Sequence, residues 1–127
     1  MWSFAAERFR SSSTVNAGDI TVRVLLAHDC ITVAVVGRVT VDSSPKLRAT
    51  LLDLLCRKAA PLIHIELSGV SYLDTSGLAT LLETLKTAHN RSVTLRVTGI
   101  GGAARTLAQI AQLDMIFREW GSQVEFR

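Results

Sequence analysis

The sequence has few charged residues, few aromatic residues and little cysteine or proline. Charged side chains make up 20% of its 127 residues and aromatic ones 6%, whereas hydrophobic residues make up 48%. A composition so rich in apolar residues is typical of a packed globular domain and not of a disordered segment. No apolar run approaches the roughly 20 residues that a membrane-spanning helix needs, so we expect no transmembrane segment.

Cysteine and histidine are too sparse to predict a metal site. Cys30 and Cys56 fall on a predicted strand and a predicted helix, and we expect both to be buried free thiols in a reducing cytoplasm. His28, His64 and His89 have no cysteine or carboxylate at ligand spacing on a shared helix face. We therefore expect neither a metal nor another cofactor.

Basic residues are also too scattered to indicate a nucleic-acid partner. The formal net charge is only +3, and the arginines are spread along the chain without forming a basic run. The composition thus favours a globular domain that binds something other than nucleic acid.

Sequence motifs for catalysis are weak. Ser76 lies in Asp-Thr-Ser-Gly-Leu and not in the G-x-S-x-G of a hydrolase elbow. The glycines at positions 99, 101 and 102 have the wrong spacing for a dinucleotide loop. His64 and Glu66, on one strand face, are either an acid/base pair or two polar residues on the wetter side of a sheet, and the second interpretation is simpler. We do not expect an enzyme.

The apolar pattern predicts four strands and three helices in an alternating order. The predicted strands cover residues 20–27, 31–37, 62–67 and 92–97, and His28-Asp29 forms a turn. The first helix begins at Ser44-Pro45 and ends before Pro61. The second is closed by His89-Asn90. The third follows a flexible Gly99–Gly102 connection, runs over residues 103–113 and packs through Leu107, Ile110 and Ala111.

Each predicted strand carries polar residues on one face. A doubly wound parallel sheet, buried on both sides, would show continuous aliphatic runs instead. The sequence therefore predicts an α/β fold with a single-layer mixed β-sheet of about four to five strands, and helices packed mainly on one face.

The two ends of the chain are less regular. We expect residues 1–18 to form a flexible tail and residues 19–127 to form the domain. Alternatively, Trp2, Phe4 and Phe9 form an amphipathic turn against a membrane surface or a neighbouring subunit. Residues 115–126 fit a short strand or a turn of helix on either side of Gly121.

The most informative stretch joins the third strand to the second helix. Asp74 is the natural N-cap, and the apolar stripe of the helix follows it at Leu78, Leu81, Leu82 and Leu85. Thr75, Ser76 and Gly77 then occupy the first turn. Because Gly77 has no side chain, we expect its backbone to be open to another surface. A small hydroxyl beside it is what a phosphate or a partner's pocket can reach.

From Gly37 to Phe117 the sequence resembles a STAS domain, the module named for sulfate transporters and anti-sigma factor antagonists. The matching segments are the strand end at Gly37, the helix start Ser44-Pro45-x-Leu47-Arg48, the block from Leu67 to Leu78, and the close Leu107-x5-Leu113-Asp114-x2-Phe117. Two positions depart from the family pattern. Arg38 and Thr40 replace the usual acidic residues, and Gln112 replaces a usual glycine.

This resemblance implies a bacterial, cytoplasmic partner-switching protein. The unmodified protein would bind an anti-sigma factor that is also a serine kinase, and phosphorylation at Ser76 would release it. Thr75 is the second candidate acceptor. The partner-binding residues that the resemblance implies are Asp74, Thr75, Ser76, Gly77, Thr80, Thr40, Asp42 and Ser43.

Two other roles fit the same family. STAS subunits also bind the cytoplasmic ATPase of phospholipid-trafficking ABC transporters without phosphorylation, and others belong to signalling scaffolds. Exposed strand edges additionally leave room for a homodimer.

Overall fold

One mixed sheet with helices beside it forms the fold. The computed structural model describes residues 9–27, 29–57 and 60–127. The strands in these ranges are β1 (Phe9–Ala17), β2 (Ile20–Ala27), β3 (Ile31–Val39), β4 (Leu62–Leu73), β5 (Thr94–Ile100) and β6 (Gln123–Phe126). The helices are α1 (Ser44–Arg57), α2 (Thr75–Asn90), α3 (Gly102–Ile110) and α4 (Leu113–Glu119).

The strands lie in the sheet in the same order as in the sequence. β1, β2 and β3 are antiparallel neighbours, whereas β3, β4, β5 and β6 pair in parallel. Parallel neighbours need a crossover, and α1, α2 and the α3–α4 pair supply the three crossovers. The predicted mixed sheet is confirmed, and it is wider than expected because β1 and β6 extend its two edges.

The helices cover one face of this sheet. Val33, Ile65 and Leu95 point to that face and are fully buried. Their neighbours His64 and Arg96 point to the opposite face and stay partly or fully exposed. This alternation gives a single core between the sheet and the helices, as the one-sided polar pattern of the strands predicted.

The prediction of a flexible tail over residues 1–18 is wrong for residues 9–17, which form β1. Phe9–Ala17 pairs antiparallel with β2, and a two-residue turn at Gly18-Asp19 joins the two strands. Gly18 has a φ of 59°, which a glycine adopts at little cost. The sheet therefore begins at residue 9 and not at residue 19. Residues 1–8 and His28, with the predictions made for them, lie outside the described residues.

Two strands are longer than predicted. β4 continues through Leu73, where a turn was expected, and irregular register against β3 accommodates the extra residues. β5 includes Gly99 and Ile100, which were expected to be a flexible connection. Gly99 has a φ of 83°, and a Cβ there would lie 2.5 Å from the backbone nitrogen of Ser68. The glycine thus serves close packing of two strands and not a hinge.

The C-terminal part corrects the third predicted helix. α3 ends at Ile110, whose side chain is 76% exposed, while Ala104 and Ala108 are buried. The predicted packing through Ile110 is therefore wrong. For residues 115–126, where a strand and a helix fitted equally well, the structure has a helix (α4) before Gly121 and a strand (β6) after it.

Three smaller expectations concern cysteines, metals and membranes. Cys30 is partly buried, but Cys56 is exposed, so the expectation of two buried thiols is wrong. Among the described residues, no cluster of three or more potential metal-ligating side chains occurs. No helix in the described ranges is long and apolar enough to span a bilayer.

Candidate functional site at the start of helix α2

The candidate site lies where β4 ends and α2 begins. The backbone N–H of Asp74 donates to the Val39 carbonyl at 3.1 Å, which fixes this junction beside the end of β3. Asp74 Oδ1 accepts from the backbone N–H groups of Ser76 at 2.9 Å and Gly77 at 3.2 Å. These two N–H groups have no acceptor inside the helix, so the carboxylate supplies it. The predicted N-cap is confirmed.

The Ser76 hydroxyl is held from two sides. It donates to Asp74 Oδ1 at 2.5 Å and accepts from the hydroxyl of Ser44 at 3.1 Å. Ser44 is the first residue of α1 and is 5% exposed, whereas Ser76 is half-buried. A chain of hydrogen bonds from Ser44 through Ser76 to Asp74 therefore fixes the orientation of the candidate phosphoacceptor.

This arrangement keeps Asp74 ionised. The hydrogen bond from the Ser76 hydroxyl is the largest cause that holds the pKa of Asp74 below its ordinary value. Backbone N–H groups of Gly77, Ser76 and Val41 lower the pKa further, against the opposing effect of burial. The site thus presents a carboxylate whose charge several N–H and O–H dipoles stabilise.

The loop between β3 and α1 borders the site. Ser43 is buried, and its hydroxyl accepts from the Thr40 N–H at 2.9 Å and donates to the Arg38 carbonyl at 2.8 Å. The Asp42 N–H donates to Thr40 Oγ1 at 3.2 Å. These bonds rigidify the loop, so that Val41, 69% exposed, and Asp42 project from it.

Besides Ser43, two predicted partner-binding residues of α2 are buried. Gly77 is buried, and a Cβ there would lie 2.9 Å from Leu73 Cγ and 2.9 Å from Val39 Cγ1. Close packing inside the molecule therefore explains this glycine, and the expectation that its missing side chain opens the backbone outward is wrong. Thr80 is also buried, and its hydroxyl donates to the Ser76 carbonyl at 3.0 Å.

The surface that remains open to a visitor combines two elements. Thr75 is exposed and Ser76 is half-buried on α2, and the exposed loop residues Val41 and Asp42 stand on the neighbouring loop. Thr40 and Asp74 lie between them and are half-buried. The structure brings together every predicted partner-binding residue, but only some of them are accessible.

Sequence reasoning missed three residues at or beside this surface. Ser44 was recognised only as a helix start, and its contact with Ser76 spans 32 positions. Val41 was passed over as part of a loop. Tyr72, 38% exposed, stacks under the guanidinium of Arg38 at 4.6 Å from the ring centroid. The only sequence signal for that pair was the unusual basic residue after Gly37.

His64 and Glu66 do not form an acid/base pair. His64 Nε2 lies 2.7 Å from Thr98 Oγ1, and Glu66 Oε1 accepts from the Ser68 N–H at 2.7 Å. Partial burial is the largest cause that lowers the pKa of His64. Each residue has its own partner on the side of the sheet opposite the helices, which favours the simpler interpretation of two separate polar side chains.

Comparison with known proteins identifies the class to which this fold and site belong. The family model described as "Mlab, STAS domain" matches residues 22–118. The chain therefore belongs to the STAS domain family.

Individual relatives are anti-sigma factor antagonists. An anti-sigma-B factor antagonist of Staphylococcus epidermidis is 26% identical over 108 residues, which cover 84% of this chain and 99% of the relative. A crystal structure of an anti-sigma factor antagonist from Mycobacterium paratuberculosis superposes with a TM-score of 0.68 at 23% identity, over 84% of this chain and 83% of the other.

A second similar structure is that of a Bacillus protein, the cell fate determinant SpoIIAA in its phosphorylated form. It superposes with a TM-score of 0.61 at 11% identity and covers 90% of each chain. At this identity the likeness shows the fold alone.

Proposed function

We propose that this protein is an anti-sigma factor antagonist that switches partners through phosphorylation of Ser76. In the unmodified form it binds an anti-sigma factor that is also a serine kinase, and so frees the sigma factor. In the phosphorylated form it lets go. The observation that carries the proposal is the Ser76 hydroxyl, which stands in the first turn of α2 and donates to Asp74 Oδ1 over 2.5 Å.

The geometry favours Ser76 over Thr75 as the acceptor. In phosphoryl transfer the serine oxygen attacks the terminal phosphorus of ATP, ADP leaves, and the hydroxyl proton must be accepted. The Asp74 carboxylate already accepts a hydrogen bond from the Ser76 hydroxyl and is ionised at neutral pH, so it is placed to take up that proton. Thr75 is exposed and remains the second candidate.

Phosphorylation would change the surface more than the fold. It adds about −1.5 to −2 charges, which the N-terminus of a helix tolerates. The added charge stands beside the Asp74 carboxylate, which also loses the hydroxyl that donates to it. Bulk, desolvation and repulsion from acidic groups on the partner then weaken binding. A loss of about 3 to 4 kcal/mol lowers affinity by a few hundredfold, enough for a switch.

Phosphorylation in vitro tests this function. The purified protein is incubated with ATP and a candidate kinase anti-sigma factor, and mass spectrometry locates the phosphate. We expect it on Ser76 in the parent and in Thr75→Ala, and no phosphate in Ser76→Ala. Binding by Ser76→Ala should persist in the presence of ATP, whereas Ser76→Asp should bind a few hundredfold more weakly. Phosphate on Thr75 alone, or equal binding by both Ser76 variants, would contradict the proposal.

A structural accessory role on the ATPase of a phospholipid-trafficking ABC transporter is the second candidate. It is favoured by the hydrogen bond that the Ser76 hydroxyl already accepts from the buried Ser44 hydroxyl. Arg38 and Thr40, in place of acidic residues, also favour a different partner. In this case Ser76→Ala and Ser76→Asp should both be retained on the immobilised ATPase.

A further inference from the structure

The face of the sheet opposite the helices is covered by no element in the described ranges. Thr32, Ala34 and Val36 of β3 point to this face and are half-buried or exposed. β3–β6 are parallel, and parallel sheets are almost always covered on both faces. The uncovered face of β3–β6 therefore predicts a partner.

We propose that a second copy of this chain covers this face, in a symmetric dimer whose two-fold axis runs along β3. The proposal is independent of Ser76. It starts from one row of side chains across the sheet, in which Arg23 of β2 and Glu66 of β4 are both paired in register with Ala34 of β3. Arg23 and Glu66 thus stand on either side of the central strand, each about 4.8 Å away from it.

The two charges decide how two such faces can meet. When the two-fold axis lies along β3, β2 of one copy faces β4 of the other, and each Arg23 faces the Glu66 of the second copy. When the axis lies across the strands, Arg23 faces Arg23 and Glu66 faces Glu66. Like charges placed opposite each other are strongly unfavourable. Of these two arrangements, the Arg23–Glu66 pattern favours the axis along β3. Arg38, on the same face of β3, stacks over Tyr72 of β4 and so lies to one side of that axis.

Glu66 and Arg23 are both charged and are both available for an ion pair with a second copy. Oε1 of Glu66 accepts from both the N–H and the hydroxyl of Ser68, and the hydroxyl bond is the largest cause that lowers the pKa of Glu66. The carboxylate is therefore ionised and held in place. Arg23 is exposed, and its cross-strand neighbours Thr14 and Ala34 are uncharged. In the described part of the chain, neither Arg23 nor Glu66 belongs to an ion pair.

Apolar contact on the axis comes from Val36. Its side chain is 55% exposed, and it is paired in register with Gly69, where a Cβ would lie 2.8 Å from Val36 Cγ2. The missing side chain at Gly69 leaves Val36 projecting, so the two copies of Val36 meet on the axis. With the axis along β3, the five strands β1–β5 face the second copy; they span about 19 Å and six residues about 20 Å, which gives a face of about 400 Å² per copy. An interface of this size predicts a weak dimer that depends on concentration.

The dimer leaves the candidate phosphoacceptor open. The sheet lies between this face and the helices, and Ser76 stands at the start of α2 on the other side. This consequence rests on the proposed function: both copies can then engage a partner at once, so the dimer is a bivalent antagonist.

Complementary charge reversals test the dimer. Sedimentation equilibrium of the parent from about 10 μM to about 1 mM should show self-association. Arg23→Glu and Glu66→Arg should each weaken it at least about tenfold, because each places like charges opposite each other twice. An equimolar mixture of the two variants should associate again, since all facing pairs in the mixed dimer have opposite charges.

Arg57→Glu is the matched control, because it makes the same charge change as Arg23→Glu at an exposed position on α1. It should retain the association constant of the parent. Val36→Asp should abolish association without disturbing the core. Circular dichroism checks that each variant folds, and Val36→Asp replaces Glu66→Arg in the test if Glu66→Arg does not fold. A parent that stays monomeric up to about 1 mM, or folded variants whose mixture stays monomeric, would overturn the proposal.

Discussion

The hydroxyl of Ser44 donates to the hydroxyl of Ser76 over 3.1 Å, although the two residues stand 32 positions apart in the chain. Ser44 begins α1 and Ser76 lies in the first turn of α2, so this bond ties together the N-terminal ends of two crossover helices. The orientation of the candidate phosphoacceptor therefore depends on the placement of α1 as well as on its own helix.

We expect the Ser44–Ser76 bond to be measurable as a coupling energy. Ser44→Ala should lower the free energy of unfolding by about 1 kcal/mol, because it removes a buried donor to Ser76. A double-mutant cycle with Ser76→Ala, measured by urea denaturation, should give a coupling of about 0.5 to 1.5 kcal/mol. Ser71→Ala, which removes an exposed hydroxyl 3.4 Å from the Gly37 carbonyl, is the control and should change stability little. A coupling near zero would contradict this account.

Asp74 should make stability depend on pH in a predictable direction. Its pKa in the folded protein is lowered from the ordinary value of 3.8, so the ionised cap stabilises the fold above about pH 4. This contribution is lost as the pH falls through the folded pKa. The stability of the parent relative to Asp74→Asn should therefore be greatest near neutral pH and shrink in acid.

Thermal unfolding of both proteins from pH 7 to pH 2 measures this difference. Asparagine keeps an acceptor for the helix N-terminus, so the comparison isolates the charge. Asp74→Ala, which also removes the acceptor, should cost about 1 kcal/mol at neutral pH. A difference between parent and Asp74→Asn that stays constant over this range would show that the Asp74 charge adds no stability.

Local patterns of the sequence were sufficient for the central elements. The alternation in β2 and β3, the helix start at Ser44-Pro45 and the Asp74 cap each depend on neighbours within a few residues, and the structure contains all of them. β1 was not predicted, because an edge strand rich in serine shows no apolar alternation. Its signal was the Gly18-Asp19 turn, which has the length of a tight hairpin loop.

The accessible part of the site was harder to predict for a related reason. Burial of Ser43, Gly77 and Thr80 results from how α1 and α2 pack against β3 and β4. No local pattern reports that packing, so residues next to the phosphoacceptor in sequence were predicted to face a partner while they face the core. The contact of Ser44 with Ser76 likewise appears only when the two helices are placed side by side.

Gly77 should tolerate no side chain. In most exposed helix positions a change from glycine to alanine stabilises by about 1 kcal/mol. A Cβ at Gly77 would meet the buried side chains of Leu73 and Val39 at 2.9 Å, so Gly77→Ala should destabilise by about 1 to 3 kcal/mol. Chemical denaturation measures the change. Ala79→Gly, at an exposed position of the same helix, is the control and should cost only the ordinary helix propensity. Gly77→Ala as stable as the parent would show that the site can expand.

Gln112 occupies a backbone conformation that favours glycine. This preference explains the glycine that is usual at this position of the STAS pattern. Its φ of 55° and ψ of 40° lie in the left-handed region, between α3 and α4. A residue with a Cβ is disfavoured there by about 1 to 2 kcal/mol, whereas glycine adds about 0.4 to 1 kcal/mol of entropy to the unfolded chain. Gln112→Gly should therefore stabilise the protein by about 0.5 kcal/mol.

Gln109→Gly is the matched control for this substitution. Gln109 is exposed like Gln112 but lies within α3, where glycine should cost about 1 kcal/mol. The two variants carry the same chemical change, so opposite signs in urea denaturation would isolate the left-handed backbone as the cause. Destabilisation of equal size in both would mean that the Gln112 side chain contributes as much as its backbone strain removes.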